Sequence, residues 1–100
     1  MENTNKLIFL YDYYGDLLTD SQKGYFEDYY FNNLSLSEIA ENLGVSRNAV
    51  HKQLKSSEEK LFFFENKLKM YEKTSKIEKL LDQIKDDKIK KDIINILEGE

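Results

Sequence analysis

Cysteine, proline and tryptophan are missing from this 100-residue chain, and glycine occurs only four times. Without cysteine there is no disulfide, no thiolate metal site and no thiol nucleophile. Without proline no helix is forced to kink or stop, and Leu, Ile, Lys and Glu run throughout, so the chain reads as all-α. Alternating strand patterns flanked by turn dipeptides do not occur. A single histidine, His51, forms no histidine cluster. The acidic pairs Glu58-Glu59 and Asp86-Asp87 have no nucleophile and no glycine-rich phosphate loop beside them, so they read as solvated helix faces. These absences predict a protein without catalytic residues, metal or cofactor. No apolar run approaches the roughly 20 residues that a membrane span needs. The opening MENTNKLIF lacks the pattern of a secretory signal. A cytoplasmic protein with no membrane insertion is expected.

Hydrophobic residues make up 40% of the chain and charged residues 34%, which suits one small folded domain. The net charge is −4, which argues against a protein that coats nucleic acid without selectivity. It leaves room for a local basic face on an acidic body. The cations are 14 lysines and one arginine. A lysine-rich skew with abundant Asn, Ile and Tyr follows from an AT-rich genome, so lysine number by itself carries little weight.

The first helix is predicted over Asn5 to Tyr14, with Gly15 stopping it in the left-handed conformation. Thr19 and Gln22 form a capping box for a second helix reaching Phe31. Asn32-Asn33 suits the exit turn. Ser35 and Glu38 form another capping box, and Leu34 and Ile39 fit a hydrophobic staple. That third helix ends near Leu43, Gly44 makes the turn, and Ser46 caps a fourth helix with Val45 and Val50 at staple positions. Val50, Leu54, Ser57, Leu61, Phe64, Leu68 and Tyr71 then follow a 4-3 spacing, a coiled-coil-like seam with Ser57 as its polar member. Thr74-Ser75 interrupts the run, and Ser75 with Glu78 offers a fresh capping box. A fifth helix carries Ile77, Leu80, Leu81 and Ile84, Asp86-Asp87 marks a break, and a last helix holds Ile89, Ile93, Ile94, Ile96 and Leu97. The expected organisation is a domain over 1–73 and a helical extension over 74–100.

Two capped helices separated by one glycine form a helix-turn-helix over Leu34 to Lys55. Its first helix crosses the nucleic-acid backbone and its second enters the major groove. Ala40 is the small residue needed where the helices approach, and Gly44 takes the positive φ of the turn. Ile39, Leu43, Val45, Val50 and Leu54 are spaced to form the core between them. Gln53 stands where many such motifs keep an apolar residue.

Arg47, Asn48, His51, Lys52 and Lys55 recur on one side of the fourth helix, away from Val50 and Leu54. Between Val45 and Ser57 there are three basic residues and no acidic one. Arg and Asn make bidentate contacts to guanine and adenine edges. Ser46 and the helix start suit a phosphate, and Lys52 and Lys55 suit flanking phosphates. The alternative is a solvated helix surface. His51 reads as a polar surface group, not a metal ligand. Tyr11, Tyr13, Tyr14, Tyr25, Tyr29 and Tyr30 are placed for core and interface packing more than for base stacking. Phe62-Phe63-Phe64 exceeds what one partner face can bury. With the seam it argues for a homodimer, the alternative being fold-back of the C-terminal helices.

The stretch LLTDSQKGYFEDYYFNNLSLSEIAENLGVSRNAVHKQLKSSEEKL, with its YDYYGDLLT lead-in, resembles the YlxM-like family of small bacterial proteins. The likeness covers about Phe9 to Leu68, and SLSEIAENLGVSRNAVHKQL is its most specific part. That family is similar to sigma-factor region four in its helix-turn-helix. Its genes typically neighbour those of the signal recognition particle protein and its receptor. The resemblance therefore implies a helical, dimeric regulator, with signal recognition particle components as partners; the nucleic acid, DNA or alternatively RNA, is the expectation carried by the exposed basic face and not by the resemblance. It brings no catalytic residues.

Overall fold

The computed structural model describes residues 4–99. These form α1 (Thr4–Tyr14), a single 3-10 turn (Gly15–Leu17), α2 (Asp20–Tyr30), α3 (Leu36–Leu43), α4 (Arg47–Leu68), α5 (Met70–Leu81) and α6 (Asp87–Leu97). The fold is all-α. Among the described residues no helix is long and apolar enough to cross a membrane. The chain divides into two compact units, Met1–Leu68 and Lys69–Glu100.

In the first unit, α1, α2 and α3 all pack on α4. Leu7, Leu10, Tyr14, Leu18, Phe26, Ile39, Ala40, Val50, Leu54 and Leu61 are buried there. Phe26 is the centre of an aromatic cluster. It stacks on Tyr11 at 4.5 Å and on Tyr30 at 4.4 Å, and meets Phe31 edge-on at 6.0 Å. Offset and edge contacts of this kind add attraction beyond burial alone.

The first four members of the seam, Val50, Leu54, Ser57 and Leu61, are buried. The covering helices are α1 to α3, so this part of the seam is closed within the chain. Its polar member is satisfied. The buried Ser57 hydroxyl lies 3.2 Å from the Gln22 carbonyl of α2 and 3.1 Å from the Gln53 carbonyl one turn back. A hydroxyl with such partners tolerates an apolar setting that an unpaired one does not.

The capping boxes at the starts of α2 and α3 are both formed. The Thr19 hydroxyl accepts from the Gln22 N–H at 3.2 Å while Gln22 Oε1 accepts from the Thr19 N–H at 3.1 Å. Ser35 and Glu38 make the same exchange at 3.0 Å each way. The backbone N–H of Ser35 holds the Glu38 carboxyl below its ordinary range.

Three local expectations fail. Gly15 does not turn left-handed; it opens the 3-10 turn with its Cα against Tyr11, where an added Cβ would lie 3.0 Å from a ring carbon. Close approach, not positive φ, is the reason for glycine there. Thr74-Ser75 does not interrupt a helix, because α5 runs through both. The break lies at Lys69, which takes φ 55°, so Tyr71 falls in α5 and outside the seam. No turn residue marks that site, since lysine in the left-handed region carries no sequence signal. The break expected at Asp86-Asp87 is there, and Asp86 turns out to cap α6, accepting from the N–H groups of Lys88 and Ile89 at 3.0 and 3.2 Å.

Candidate nucleic-acid interface

The site begins at the turn between α3 and α4. Gly44 takes φ 68°, ψ 34°. Its N–H donates to the Glu41 carbonyl at 3.4 Å, and the Val45 N–H donates to the Ala40 carbonyl at 3.0 Å. This Schellman pair closes α3 and satisfies two carbonyls that a helix end would otherwise leave open. Two residues on, the Ser46 hydroxyl accepts from the Ala49 N–H at 3.1 Å and starts α4. Behind the turn, Ile39, Ala40 and Val50 form a buried cluster covered by Tyr25, Tyr29, Leu34 and Leu36. Ala40 occupies the close approach and Leu34 acts as the staple, both as the spacing predicts.

Leu43 and Val45 correct the expected motif core. They are 51% and 40% exposed, whereas Ile39, Val50 and Leu54 are buried. Leu43 and Val45 flank the tip of the turn. The residues that cover the motif, Tyr25, Tyr29, Leu34 and Leu36, pack on the cluster of Ile39, Ala40 and Val50.

Ser46, Arg47, Asn48, His51, Lys52 and Lys55 are all exposed. Asn48, Lys52 and Lys55 project opposite the buried line Val50, Leu54, Ser57 and Leu61, as the 3.6-residue period dictates. Arg47 and His51 flank them. One shallow depression is lined by Ser46, Asn48, Ala49, His51 and Lys52. A second is lined by His51, Leu54, Lys55 and Glu58, so His51 stands between the two. Ala49, half-buried, belongs to this surface although its residue type gave no reason to select it. Its position three residues after Ser46 and three before Lys52 was the available signal.

The cations of the first unit fall into two sets. Lys23 pairs with Asp16 at 2.9 Å, and Lys60 donates to Gln22 Oε1 at 3.3 Å. Lys6 and Lys67 lie over the rings of Phe62 and Phe63 at 6.0 and 5.8 Å. Arg47, Lys52 and Lys55 have no such partner among the described residues. Two carboxylates further along α4 bind tyrosine hydroxyls. Glu58 accepts from the Tyr30 hydroxyl at 2.8 Å, and Glu65 from the Tyr14 hydroxyl at 2.7 Å. Burial first, then the Glu58 bond, holds the Tyr30 phenol well above its ordinary range. The unpaired stretch therefore ends at Lys55, where Glu58 and Glu59 begin the acidic part of α4.

Two capped helices, a left-handed glycine between them and an exposed side on the first turns of the second define a helix-turn-helix protein. The sequence matches, over residues 1–99, a family described as "Putative helix-turn-helix protein, YlxM / p13 like". The chain belongs to this family. The match takes in the C-terminal helices, beyond the Phe9–Leu68 stretch in which the resemblance is legible by motif. A UPF0122 protein of Malacoplasma penetrans is 47% identical over 85 residues, covering 85% of this chain and 79% of the relative. One from Listeria innocua is 43% identical over 94 residues, covering 94% and 86%. One from Thermoanaerobacter sp. is 50% identical over 76 residues, covering 76% and 65%.

Proposed function

We propose that the protein is a regulatory helix-turn-helix that binds duplex DNA through the first turns of α4. The supporting observation is the unpaired state of Arg47, Lys52 and Lys55, set against the partnered lysines of the same unit. Cations that meet no carboxylate in their own chain are available to phosphate, and each phosphate neutralised releases counterions. In this reading Arg47 and Asn48 face base edges, Ser46, Lys52 and Lys55 hold phosphates, and His51 lies between the two depressions. The test is fluorescence anisotropy against random duplex DNA at two salt concentrations. Wild-type affinity should fall steeply with salt. The Arg47→Ala/Lys52→Ala variant should bind at least about tenfold more weakly, with a salt slope lower by about 2. Unchanged binding by the double variant would sink the assigned face.

The reading includes a homodimer, which would present two α4 helices to a symmetric site. What supports it is α6, which has no buried residue and carries Ile89 and Ile96 at 50% and 74% exposure. Sedimentation equilibrium should give a dimer that Ile89→Asp/Ile96→Asp converts to monomer. A wild-type monomer throughout the concentration range would refute this part.

A second reading is a protein or RNA adaptor of the signal recognition particle system, suggested by the family resemblance and by Phe63, which is 56% exposed on α4. Pull-down of the signal recognition particle protein or its RNA, lost on Phe63→Ser and unaccompanied by DNA affinity, would favour it over the first.

A further inference from the structure

We infer that the depression beside the start of α4 reads the major-groove edge of an adenine–thymine pair in B-form DNA, with Asn48 on adenine and Ala49 on the thymine methyl. The inference rests on the nucleic-acid reading above and names the base pair that this surface fits.

The lining of the depression is Ser46, Asn48, Ala49, His51 and Lys52, with no carboxylate among them. Ala49 is its apolar member. Ala49 is half-buried, and its backbone N–H is held by the Ser46 hydroxyl at 3.1 Å, so its methyl has a fixed place on the surface. Asn48 beside it is exposed, and its side-chain amide makes no hydrogen bond to another described residue. The surface thus offers one free amide, with a donor end and an acceptor end, next to one immobile methyl.

Each base pair presents a distinct pattern in the major groove. Adenine offers the N7 acceptor beside the N6 amino donor, which an asparagine amide meets with both of its ends. The thymine opposite offers a 5-methyl, which an alanine methyl meets by apolar contact. A guanine–cytosine pair carries no methyl, and its O6 and N7 acceptors suit Arg47 better than Asn48. RNA fails on two grounds. Uracil lacks the methyl, and the major groove of an A-form helix is too deep and narrow for α4 to enter.

The test uses anisotropy at one low salt concentration with three duplexes of about 20 base pairs, room for two half-sites one helical turn apart. One is alternating adenine–thymine, the second replaces every thymine by deoxyuridine, and the third is alternating guanine–cytosine. The wild-type protein should bind the first at least about fivefold more tightly than either of the others. Ala49→Gly should abolish the preference for thymine over uracil. Asn48→Ala should cut the preference for adenine–thymine over guanine–cytosine down to what the methyl contact alone supplies, while the thymine–uracil difference persists. Because the wild-type comparison needs no substitution, a misfolded variant does not spoil the test. Binding to all three duplexes with equal affinity would overturn this inference and leave the nucleic-acid reading standing. Binding to none of them would overturn both.

Discussion

The two units of this chain use the same local code and arrive at different packing. Both are built from amphipathic helices, and each holds at least one helix with a side-chain cap. In Met1–Leu68 seven basic residues face eleven acidic ones, so the whole net charge of −4 resides there; in Lys69–Glu100 eight face eight. The first unit closes a core around Phe26, Val50 and Leu61, each fully buried. In the second, α6 buries none of its residues although Ile89, Ile93, Ile94, Ile96 and Leu97 lie on it. Amphipathic patterning prepares a face for burial, but only surrounding elements complete it. Three helices converge on α4, whereas a unit of this size has too little chain to enclose a core of its own.

Core truncation is the strongest way to test the contrast. Phe26→Ala removes a buried ring that touches Tyr11, Tyr30 and Phe31, and should cost about 3–5 kcal/mol in urea unfolding. Ile96→Ala in α6, at 74% exposure, should stay within about 0.5 kcal/mol at concentrations where the chain is monomeric. Equal costs would mean that α6 is packed after all.

Glycine replacements give the next effect, and with opposite signs. Gly44 has φ 68° and open space where a Cβ would go. Gly44→Ala should therefore destabilise by backbone strain alone, about 1–2 kcal/mol. Gly24 lies inside α2 with nothing within 4 Å of an added Cβ. Gly24→Ala should stabilise by about 0.5–1 kcal/mol. Thermal melts of the two variants check both signs.

Capping separates a real helix start from an apparent one. Ser35→Ala removes an acceptor in use and should cost about 1 kcal/mol. Ser75→Ala, in the middle of α5, should lower stability by no more than a few tenths of a kcal/mol, or raise it. A loss at Ser75 equal to that at Ser35 would restore the interrupted helix that the sequence suggested.

The subtlest readout is alkaline titration. Burial, then the neighbouring Glu27 carboxylate, pushes the Tyr11 phenol from its ordinary 10 up to about 12, and Tyr30 is raised as well. A phenol raised in the fold contributes stability that is present below its unfolded pKa and is lost as pH climbs through the folded value. Stability should therefore decline from pH 10 to about 12, and less in Tyr11→Phe. Phenolate absorbance should show a late-titrating class that Tyr11→Phe and Tyr30→Phe diminish. Tyrosines that all ionise together near pH 10 would contradict the packing around Phe26.

Local chemistry determined much of this protein in advance. The capping boxes at Thr19 and Ser35, the left-handed Gly44, the Ser46 cap and the exposed side of α4 are all legible, because each depends on residues within one or two turns of each other. The misreadings at Gly15 and Ser75, and the seam carried past Lys69 to Tyr71, come from the same short range. A glycine or a serine signals a stop only where the chain does not continue into the next helical turn, and lysine signals no left-handed turn.

Tertiary structure decided the rest. It determined that the seam of α4 is covered by α1 to α3, that Ser57 finds the Gln22 carbonyl across the core, and that Leu43 and Val45 stay outside. It also decided which cations are paired. Lys60 meets Gln22 and Lys23 meets Asp16 through contacts between different elements, and among the described residues no such contact reaches Arg47, Lys52 or Lys55. Periodicity fixes which side of a helix is apolar. What lies against that side, and which charges on the other side remain free, depends on where distant segments of the chain come to rest.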